Sequence, residues 1–319
     1  MRVTILTRPV RAPPSLRHEY LVKSCQDFVN AMLRRPLAEY SGHPAVTRSL
    51  VHGLRAIAAD FNFNPKDLRE VGEIVHVPSG HLALRQAIRL RRSGRIRRLL
   101  AGPNLVVLPS DKPALIGAPE IDLLVTNSSW VRQMYLTEMP RLADHCAIWP
   151  AGVDTELWQN HAVSTASRRI LIYAKNAPDP LVAECADEAR AAGFDVALVR
   201  YGRYTPAEYR AALGRARYVV YMSAWESQGL ALVEAWSCDV PTLVWNPGYV
   251  LLKGKTYRTS AAPYLTERTG RLFHDPTALG ELLRSGLRNA TFAPRQWVLE
   301  NMSDEVCARA LLALAVGED

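Results

Sequence analysis

The chain has 319 residues, 48% of them hydrophobic and 22% charged, with a formal net charge of +8; this excludes disordered and fibrous proteins and predicts about two domains with their own cores. The first residues lack the apolar stretch of a signal peptide, and no segment approaches the ~18 to 20 apolar residues of a membrane span, so a cytoplasmic protein is expected. The five cysteines lie far apart without a CxxC pair, which predicts free, buried or partly buried thiols in a reducing compartment rather than a metal site or disulfides.

The first half of the chain alternates apolar strands with helices. The predicted elements are a strand at 3–7, a largely helical stretch through 59, a strand at 74–77, a helix at 81–92, a strand at 99–107 interrupted by Gly102 and Pro103, a strand at 121–126 and a helix at 130–138. Asn127, Ser128 and Ser129 form an N-cap cluster for the last of these helices. Strands that are apolar on both faces and alternate with helices predict a parallel, doubly wound sheet.

The second half repeats this pattern, with a β-α unit about every 20 to 30 residues. Strands are predicted at 169–173, 195–201, 218–222 and 242–245, and helices at 181–192, 206–216 and 229–238. The polar stretch 149–167, which contains proline and glycine, is predicted to link the two halves. The pattern from 294 to 315 predicts one long amphipathic helix. Each half is therefore expected to form an α/β domain of the Rossmann-like type.

The segment 218–245 carries the most informative chemistry. A buried strand ends at Met222, a short loop holds Glu226, and a helix begins near Gly229 and contains Glu234. Loops at the carboxyl ends of parallel strands bind ligands in α/β sheets. The amides at a helix N-terminus, which a ligand can approach closely at a glycine, form a cradle for phosphate. The alternative is that Glu226 is a solvent-facing loop residue and Glu234 an ordinary surface charge of a helix.

This segment resembles the Glu-x7-Glu signature of retaining GT-B glycosyltransferases, and most closely that of glycosyltransferase family four. Seven residues separate Glu226 from Glu234, with Gly229 and Leu230 between them and Pro241 after them. The run 148–158 resembles the inter-domain hinge of that family, and 127–130 resembles the serine-containing turn that closes its N-terminal domain. The likeness covers about 125–280, whereas residues 8–70 are divergent.

The resemblance implies a GT-B fold of two Rossmann-like, doubly wound parallel-sheet domains that face each other across a cleft. The acceptor-side domain would span 1–150, the nucleotide-sugar-binding domain 151–293, and a C-terminal helix at 294–319 would cross back. The implied reaction transfers a sugar, with retention, from a nucleotide-diphosphate donor to a glycan, a lipid-linked sugar or a small molecule. No cofactor is implied, and the sequence has no DxD pair for a metal ion. The alternatives are a non-catalytic sugar-nucleotide-binding protein and another GT-B enzyme such as an epimerase.

Carried onto this sequence, the resemblance assigns roles to individual residues. Glu234 would bind the ribose hydroxyls of the nucleotide, and Glu226 the hydroxyls of the donor sugar. Lys175 would be one of two cations that clamp the diphosphate, unless it is a plain strand-end lysine. No second cation follows within 176–180, so Arg203 or another basic residue is expected to replace it. The expected donor-binding set is completed by Ser227, Gly229 and Leu230.

In the first half, members of the family often have a histidine after the strand that faces the donor sugar. Gly102, Pro103 and Asn104 occupy that place. Asn104 is therefore expected to act in catalysis through hydrogen bonds without proton transfer, the alternative being a plain turn. His76 and His81 flank a Pro-Ser-Gly turn of the same sheet, where they either line the cleft or are structural histidines.

The positive charge is concentrated in the first half. Residues 1–150 hold 21 Lys and Arg against 12 Asp and Glu, a net charge of +9, and residues 151–319 hold 18 against 19, a net charge of −1. The densest cluster is six arginines within 89–98, which are either a solvated helix face or a patch for anionic membrane lipid. Nucleic acid is not an expected partner, because no binding-module motif is present and no aromatic residues interleave with these arginines.

Overall fold

The computed structural model describes residues 2–10, 42–159, 167–287 and 290–317. The chain forms two compact units, one made of Met1–Gly152 together with Cys307–Asp319 and the other of Val153–Val306. The segment 294–319 is thus divided between the two units. Cys25 lies outside the described residues, and the other four cysteines are free and buried, as predicted.

The first unit contains a six-stranded sheet. Its strands are β1 (Val3–Ile5), β2 (Phe61–Phe63), β3 (Ile74–Ser79), β4 (Arg98–Asn104), β5 (Leu123–Thr126) and β6 (Cys146–Ile148). Its first four helices are α1 (Gly42–Ala56), α2 (His81–Arg92), α3 (Pro113–Ile116) and α4 (Ser129–Glu138). The strand order is β2-β1-β3-β4-β5-β6, with every neighbouring pair parallel. Successive residues of β3 and β4 are buried, which confirms a parallel sheet that is apolar on both faces.

Strands β2 and β6 and the short helix α3 were not among the predicted elements, and two further features of the first unit differ from their predictions. Strand β4 continues through Gly102 and Pro103, which are joined by a cis peptide bond, and ends at Asn104 rather than at 107. Proline lacks an N–H donor, and the pairing with β3 accommodates it by a register shift before Asn104 pairs with Ser79. Ser128 occupies the N-cap position of α4, within the predicted N-cap cluster, but its side chain makes no capping hydrogen bond.

The second unit contains a five-stranded sheet, and its elements follow the predicted alternation closely. Its strands are β7 (Arg169–Ala174), β8 (Asp195–Arg200), β9 (Tyr218–Met222), β10 (Thr242–Trp245) and, further along the chain, Gly270–Phe273. Its helices are α5 (Asp179–Ala191), α6 (Pro206–Leu213), α7 (Leu230–Ser237), α8 (Pro276–Glu281) and α9 (Pro294–Asn301). The bounds of β9 and β10 are those predicted. One face of the sheet packs through Ile170, Val220 and Leu243 against α5 and α8.

A two-stranded antiparallel hairpin, β11 (Tyr249–Leu252) and β12 (Lys255–Arg258), lies between β10 and the last strand of this sheet, β13 (Gly270–Phe273). The order of the five-stranded sheet is β13-β10-β9-β7-β8, with all strands parallel. The hairpin, β13 and α8 were not among the predicted elements. Among the described residues, no helix is long and apolar enough to cross a membrane.

The long C-terminal helix predicted at 294–315 is two helices, α9 and α10 (Asp304–Val316). The break has a physical cause, because Val153 forms a β-bridge with Ser303. The amide of Val153 donates to the carbonyl of Met302 at 2.9 Å, and the amide of Asp304 donates to the carbonyl of Val153 at 3.1 Å. These bonds replace the helical hydrogen bonds at this point. The predicted linker is packed over the residues that are described, since Val153 and Trp158 are buried.

Gly80 and Gly94 offer a matched test of the packing in the first sheet. Both have a positive φ, 95° and 73°. A Cβ at Gly80 would lie 2.4 Å from the carbonyl oxygen of Thr7, just beyond β1, whereas nothing lies within 4 Å of a Cβ at Gly94. Gly94→Ala is expected to cost about 1 kcal/mol of conformational strain, and Gly80→Ala about 3 kcal/mol or more because strain and a backbone clash combine. Urea unfolding measures both, and equal losses would contradict this close packing.

Candidate functional site

The candidate site lies at the carboxyl edge of the second unit's sheet. From β7 the chain crosses to β8 on one side and then to β9 on the other, so the direction of winding switches between β7 and β9. Lys175 directly follows β7, and Glu226 lies between β9 and α7. Open α/β sheets bind their ligands outside the strand ends at such a switch point. The two residues therefore flank the position where this domain is expected to bind a ligand.

Lys175 and Glu226 form an ion pair that is largely removed from solvent. The Nζ atom of Lys175 lies 2.8 Å from Oε2 of Glu226, and the two side chains are 23% and 7% exposed. The amide of Glu226 donates to the carbonyl of Ser260 at 3.0 Å, which fixes the loop backbone. Charges taken out of water are costly unless they are paired. Glu226 is therefore not a solvent-facing loop residue, and Lys175 is not an isolated strand-end lysine.

Tyr221 completes the surroundings of the Glu226 carboxylate. Its hydroxyl donates to Oε1 at 2.9 Å, while Oε2 accepts from Lys175. The buried ring of Tyr221 stacks on Tyr173, with centroids 4.6 Å apart and planes inclined by 5°. Burial, and then the negative charge of Glu226, raise the pKa of Tyr221, so the hydroxyl keeps its proton. Sequence reasoning missed this residue, although Tyr173 and Tyr221 are register partners in adjacent strands.

The loop after β8 lies beside the ion pair. The ammonium of Lys175 sits 4.7 Å from the centre of the Tyr201 ring, a cation–π contact. The Tyr204 hydroxyl donates to that of Tyr173 at 3.1 Å. Burial raises the pKa of Tyr204, and the carboxylates of Glu234 and Glu226 add to this effect. Arg203 lies in this loop with an exposed side chain, on the same edge of the sheet as Lys175.

Helix α7 begins one residue after Gly229, which confirms the predicted helix start. Gly229 has a φ of 83°, and a Cβ there would lie 2.8 Å from Cδ1 of Leu232, so this turn requires glycine. Ser227, Leu230 and Glu234 are half-buried, and the first turn of α7 carries no acidic side chain. The helix N-terminus thus presents its positive end on the edge that holds Lys175 and Glu226.

The first unit contains three of the candidate residues named from the sequence, His76, His81 and Asn104. His76 is fully buried, and its Nε2 bonds with the carbonyl of Gly102 at 2.7 Å. Burial lowers the pKa of His76 to about 4, and its ring meets Trp149 edge-on at 5.7 Å, so it is a neutral structural histidine. His81 bonds through Nε2 with the carbonyl of Leu105 at 2.7 Å. The Nδ2 atom of Asn104 is buried without a hydrogen-bond partner among the described residues.

The arginines of segment 89–98 are largely engaged within the first unit. Arg91 binds both oxygens of Asp122, at 2.8 and 2.9 Å. The other contacts are Arg92 with Glu120, Arg97 with Glu73, Arg95 with the carbonyl of Val71, and Arg98 with the carbonyl of Leu314. These contacts favour a structural and solvated role for the cluster over a free basic patch.

Two further observations concern other kinds of site. Within the described ranges, no group of three or more His, Cys, Asp or Glu side chains could hold a metal ion. A cavity of about 340 Å³ lies at the opposite, amino-terminal edge of the second sheet, where β7 and β8 begin. It is lined by Ser167, Arg168, Arg169, Asp195, Gly214, Arg215 and Ala216. This cavity is separate from the edge that carries Lys175 and Glu226.

The fold is similar to that of several solved glycosyltransferases. AviGT4, a glycosyltransferase involved in avilamycin A biosynthesis, is 14% identical with a TM-score of 0.62, over 99% of this chain and 98% of that one. The lipopolysaccharide outer core galactosyltransferase WaaB, in its apo form, is 10% identical with a TM-score of 0.60, over 100% of both chains. A mutant of S. aureus TarM in complex with fondaparinux, α-GlcNAc-glycerol and UDP is 14% identical with a TM-score of 0.50, over 75% of this chain and 55% of that one.

These structural similarities establish the fold. This chain spans about half of TarM but nearly the whole of AviGT4 and WaaB. Neither a protein-family model nor a curated protein sequence matches the chain. With two parallel-sheet α/β units and GT-B glycosyltransferases as structural neighbours, the chain has the GT-B fold.

The ion pair can be tested by a double-mutant cycle with Lys175→Met and Glu226→Gln. Each single variant leaves one charge in a poorly hydrated place, so the double variant should be less destabilised than the sum, with a coupling of about 1–3 kcal/mol in urea unfolding. The exposed pair Arg190 and Asp187, whose charged atoms are 2.7 Å apart, is the control, with an expected coupling below about 0.5 kcal/mol. Equal coupling in the two cycles would contradict the burial of the site pair.

Proposed function

We propose that this chain is a glycosyltransferase that transfers a sugar from a nucleotide-diphosphate donor to a carbohydrate or lipid-linked acceptor. The observation that carries the proposal is the Lys175–Glu226 ion pair at the switch point of the second sheet. The GT-B fold, shared with AviGT4 and WaaB, supports sugar transfer as the reaction. UDP in the TarM complex supports a nucleotide donor.

The ion pair has hydrogen-bonding capacity for such a donor. An ammonium has three N–H donors, and Glu226 accepts one of those of Lys175. A diphosphate oxygen can accept another, beside the N-terminus of α7. The carboxylate of Glu226 accepts hydrogen bonds from Lys175 and from Tyr221, and a carboxylate has about four lone-pair sites. In the proposed complex, hydroxyls of the donor sugar donate to this carboxylate.

The remaining roles are proposed from the positions of the residues. Glu234, on the first turns of α7, would accept hydrogen bonds from the ribose hydroxyls. Ser227, Gly229 and Leu230 would meet the phosphates through the loop and the helix N-terminus. Arg203, exposed in the loop after β8, would supply the second positive charge. Asn104 belongs to the other unit and would offer hydrogen bonds to the transferred sugar without moving a proton.

The proposed reaction proceeds through an oxocarbenium-like transition state. The bond between the anomeric carbon and the diphosphate oxygen breaks, and a bond to the acceptor oxygen forms on the same face, which gives retention. The departing phosphate oxygen takes the acceptor's proton. Lys175, Arg203 and the N-terminus of α7 stabilise the charge that develops on the diphosphate, and this electrostatic preorganisation is the protein's main contribution. The proposal includes no metal ion.

Nucleotide binding tests the separate roles of Lys175 and Glu234. Lys175→Ala is expected to weaken binding of a nucleoside diphosphate about tenfold or more, but binding of the nucleoside less than about threefold, because a charge-assisted contact to phosphate is lost. Glu234→Ala should weaken both ligands alike, through the ribose. Calorimetry with UDP, ADP, GDP and dTDP, each with its nucleoside, measures this, with Arg190→Ala on α5 as control. A Lys175 variant that affects diphosphate and nucleoside equally would refute its role as phosphate clamp.

Turnover tests the reaction itself. Incubation with a panel of labelled nucleotide sugars and acceptor glycans is expected to yield a glycoside whose anomeric configuration, read by NMR, is that of the donor. Glu226→Gln should lower turnover about 10²-fold or more, since the carboxylate's charge is lost where positive charge develops. EDTA should leave activity largely intact. Nucleotide binding without glycoside formation across the panel would favour a non-catalytic sugar-nucleotide-binding protein, and strict dependence on Mg²⁺ or Mn²⁺ would contradict metal-independent transfer.

A further inference from the structure

The β11–β12 hairpin is a separate, well-defined projection of the second unit. The hairpin follows β10 in the chain. A hydrogen bond from the amide of Thr259 to the carbonyl of Gly248, at 2.9 Å, closes its base. Its strands pair through Tyr249 with Arg258 and through Leu251 with Thr256. Residues directly opposite each other in an antiparallel pair project from the same face. One face of the hairpin therefore carries these four side chains together.

That face is exposed and carries two large hydrophobic side chains. Leu251 is 67% and Tyr249 is 61% exposed, the highest values for large hydrophobic side chains in the described part of the chain. Tyr257, on the other face, is buried, so the hairpin packs on the protein through that face and presents the first one to solvent. Packing within the second unit does not account for an exposed tyrosine and an exposed leucine on the same face of the hairpin.

The charges of the hairpin are all positive. Residues 249–258 contain Lys253, Lys255 and Arg258 and no acidic residue, a net charge of +3. Lys253 and Lys255 flank Gly254 at the tip, and all three basic side chains are exposed. A surface that combines tyrosine, leucine and basic side chains matches the chemistry of a membrane interface. There, aromatic rings and aliphatic side chains enter the headgroup region, and cationic side chains contact anionic headgroups.

We propose that the β11–β12 hairpin binds the surface of an anionic lipid membrane. Tyr249 and Leu251 enter the interfacial layer, and Lys253, Lys255 and Arg258 contact the headgroup phosphates. The arginines of segment 89–98, several of which bind carboxylates and carbonyls of their own unit, are the alternative site for this contact. The proposal is independent of the proposed transfer reaction.

The test is co-sedimentation of the full chain with vesicles of phosphatidylcholine, with or without phosphatidylglycerol. Wild type should pellet only with the anionic vesicles, and less as salt shortens the Debye length below about 10 Å. The triple variant Lys253→Gln, Lys255→Gln, Arg258→Gln and the double variant Tyr249→Ser, Leu251→Ser should each lose binding by about tenfold or more.

Two controls make the result specific to the hairpin. The quadruple variant Arg91→Gln, Arg92→Gln, Arg95→Gln, Arg97→Gln and the variant Val107→Ser, at an apolar side chain 57% exposed in the first unit, should bind within about twofold of wild type when urea unfolding shows them folded. Hairpin variants that pellet like wild type, loss of binding confined to the arginine variant, or no vesicle binding by wild type would overturn the proposal. So would binding to heparin that is as tight as vesicle binding and insensitive to Tyr249→Ser, Leu251→Ser, since that would indicate a polyanionic partner.

Discussion

The candidate site of the second unit depends on the ion pair between the half-buried Lys175 and the buried Glu226. Glu226 and Lys175 follow neighbouring parallel strands, and their pairing offsets the cost of removing the two charges from water. Their contact joins the ends of β7 and β9 at the point where the sheet changes its direction of winding. Tyr221 satisfies the second carboxylate oxygen, so the carboxylate is held from both sides. A site held in this way is preorganised, because its polar groups need little reorientation when a ligand arrives.

Aromatic side chains support the Lys175–Glu226 ion pair. Tyr173 stacks on Tyr221 and accepts a hydrogen bond from Tyr204, while the Tyr209 hydroxyl donates to the carbonyl of Ala231 in α7. The rings thus link β7, β9 and the loop after β8 to the helix whose N-terminus faces the site. In the first unit the arginine cluster has a comparable structural role, because its charged groups bind residues near the strand ends and turns of one sheet. Arginines that the sequence alone presents as available to a partner, such as Arg91 and Arg95, are engaged in contacts within the fold.

The sequence predicted four of the five strands of the second sheet, and most closely β9 and β10, which are continuous apolar runs followed by polar or glycine-containing turns, whereas β13 was not predicted. Lys175 and Glu226 were both named, but their contact was not, since a separation of 51 residues carries no register information by itself. Tyr221 was missed because an aromatic residue in a buried strand has the same pattern as any core residue. The break of the C-terminal helix at Met302 arises from backbone hydrogen bonds to Val153, which is distant in the sequence. A local sequence pattern does not predict such a distant partner. Strand β4 continues past Pro103 for a similar reason, through pairing with β3.

The assignment of the Lys175–Glu226 pair as the donor site is tested most directly by hydrogen exchange with and without the nucleoside diphosphate that binds most tightly in calorimetry. Slower exchange is expected for backbone amides in 175–180, 201–205 and 226–234, the three segments around the ion pair. Amides beside the opposite-edge cavity, 167–169 and 214–216, should be unchanged, and Lys175→Ala should reduce the protection at a fixed, subsaturating ligand concentration. Protection confined to the opposite edge or to the first unit, or none at saturating ligand, would contradict the assignment of the Lys175–Glu226 pair as the donor site.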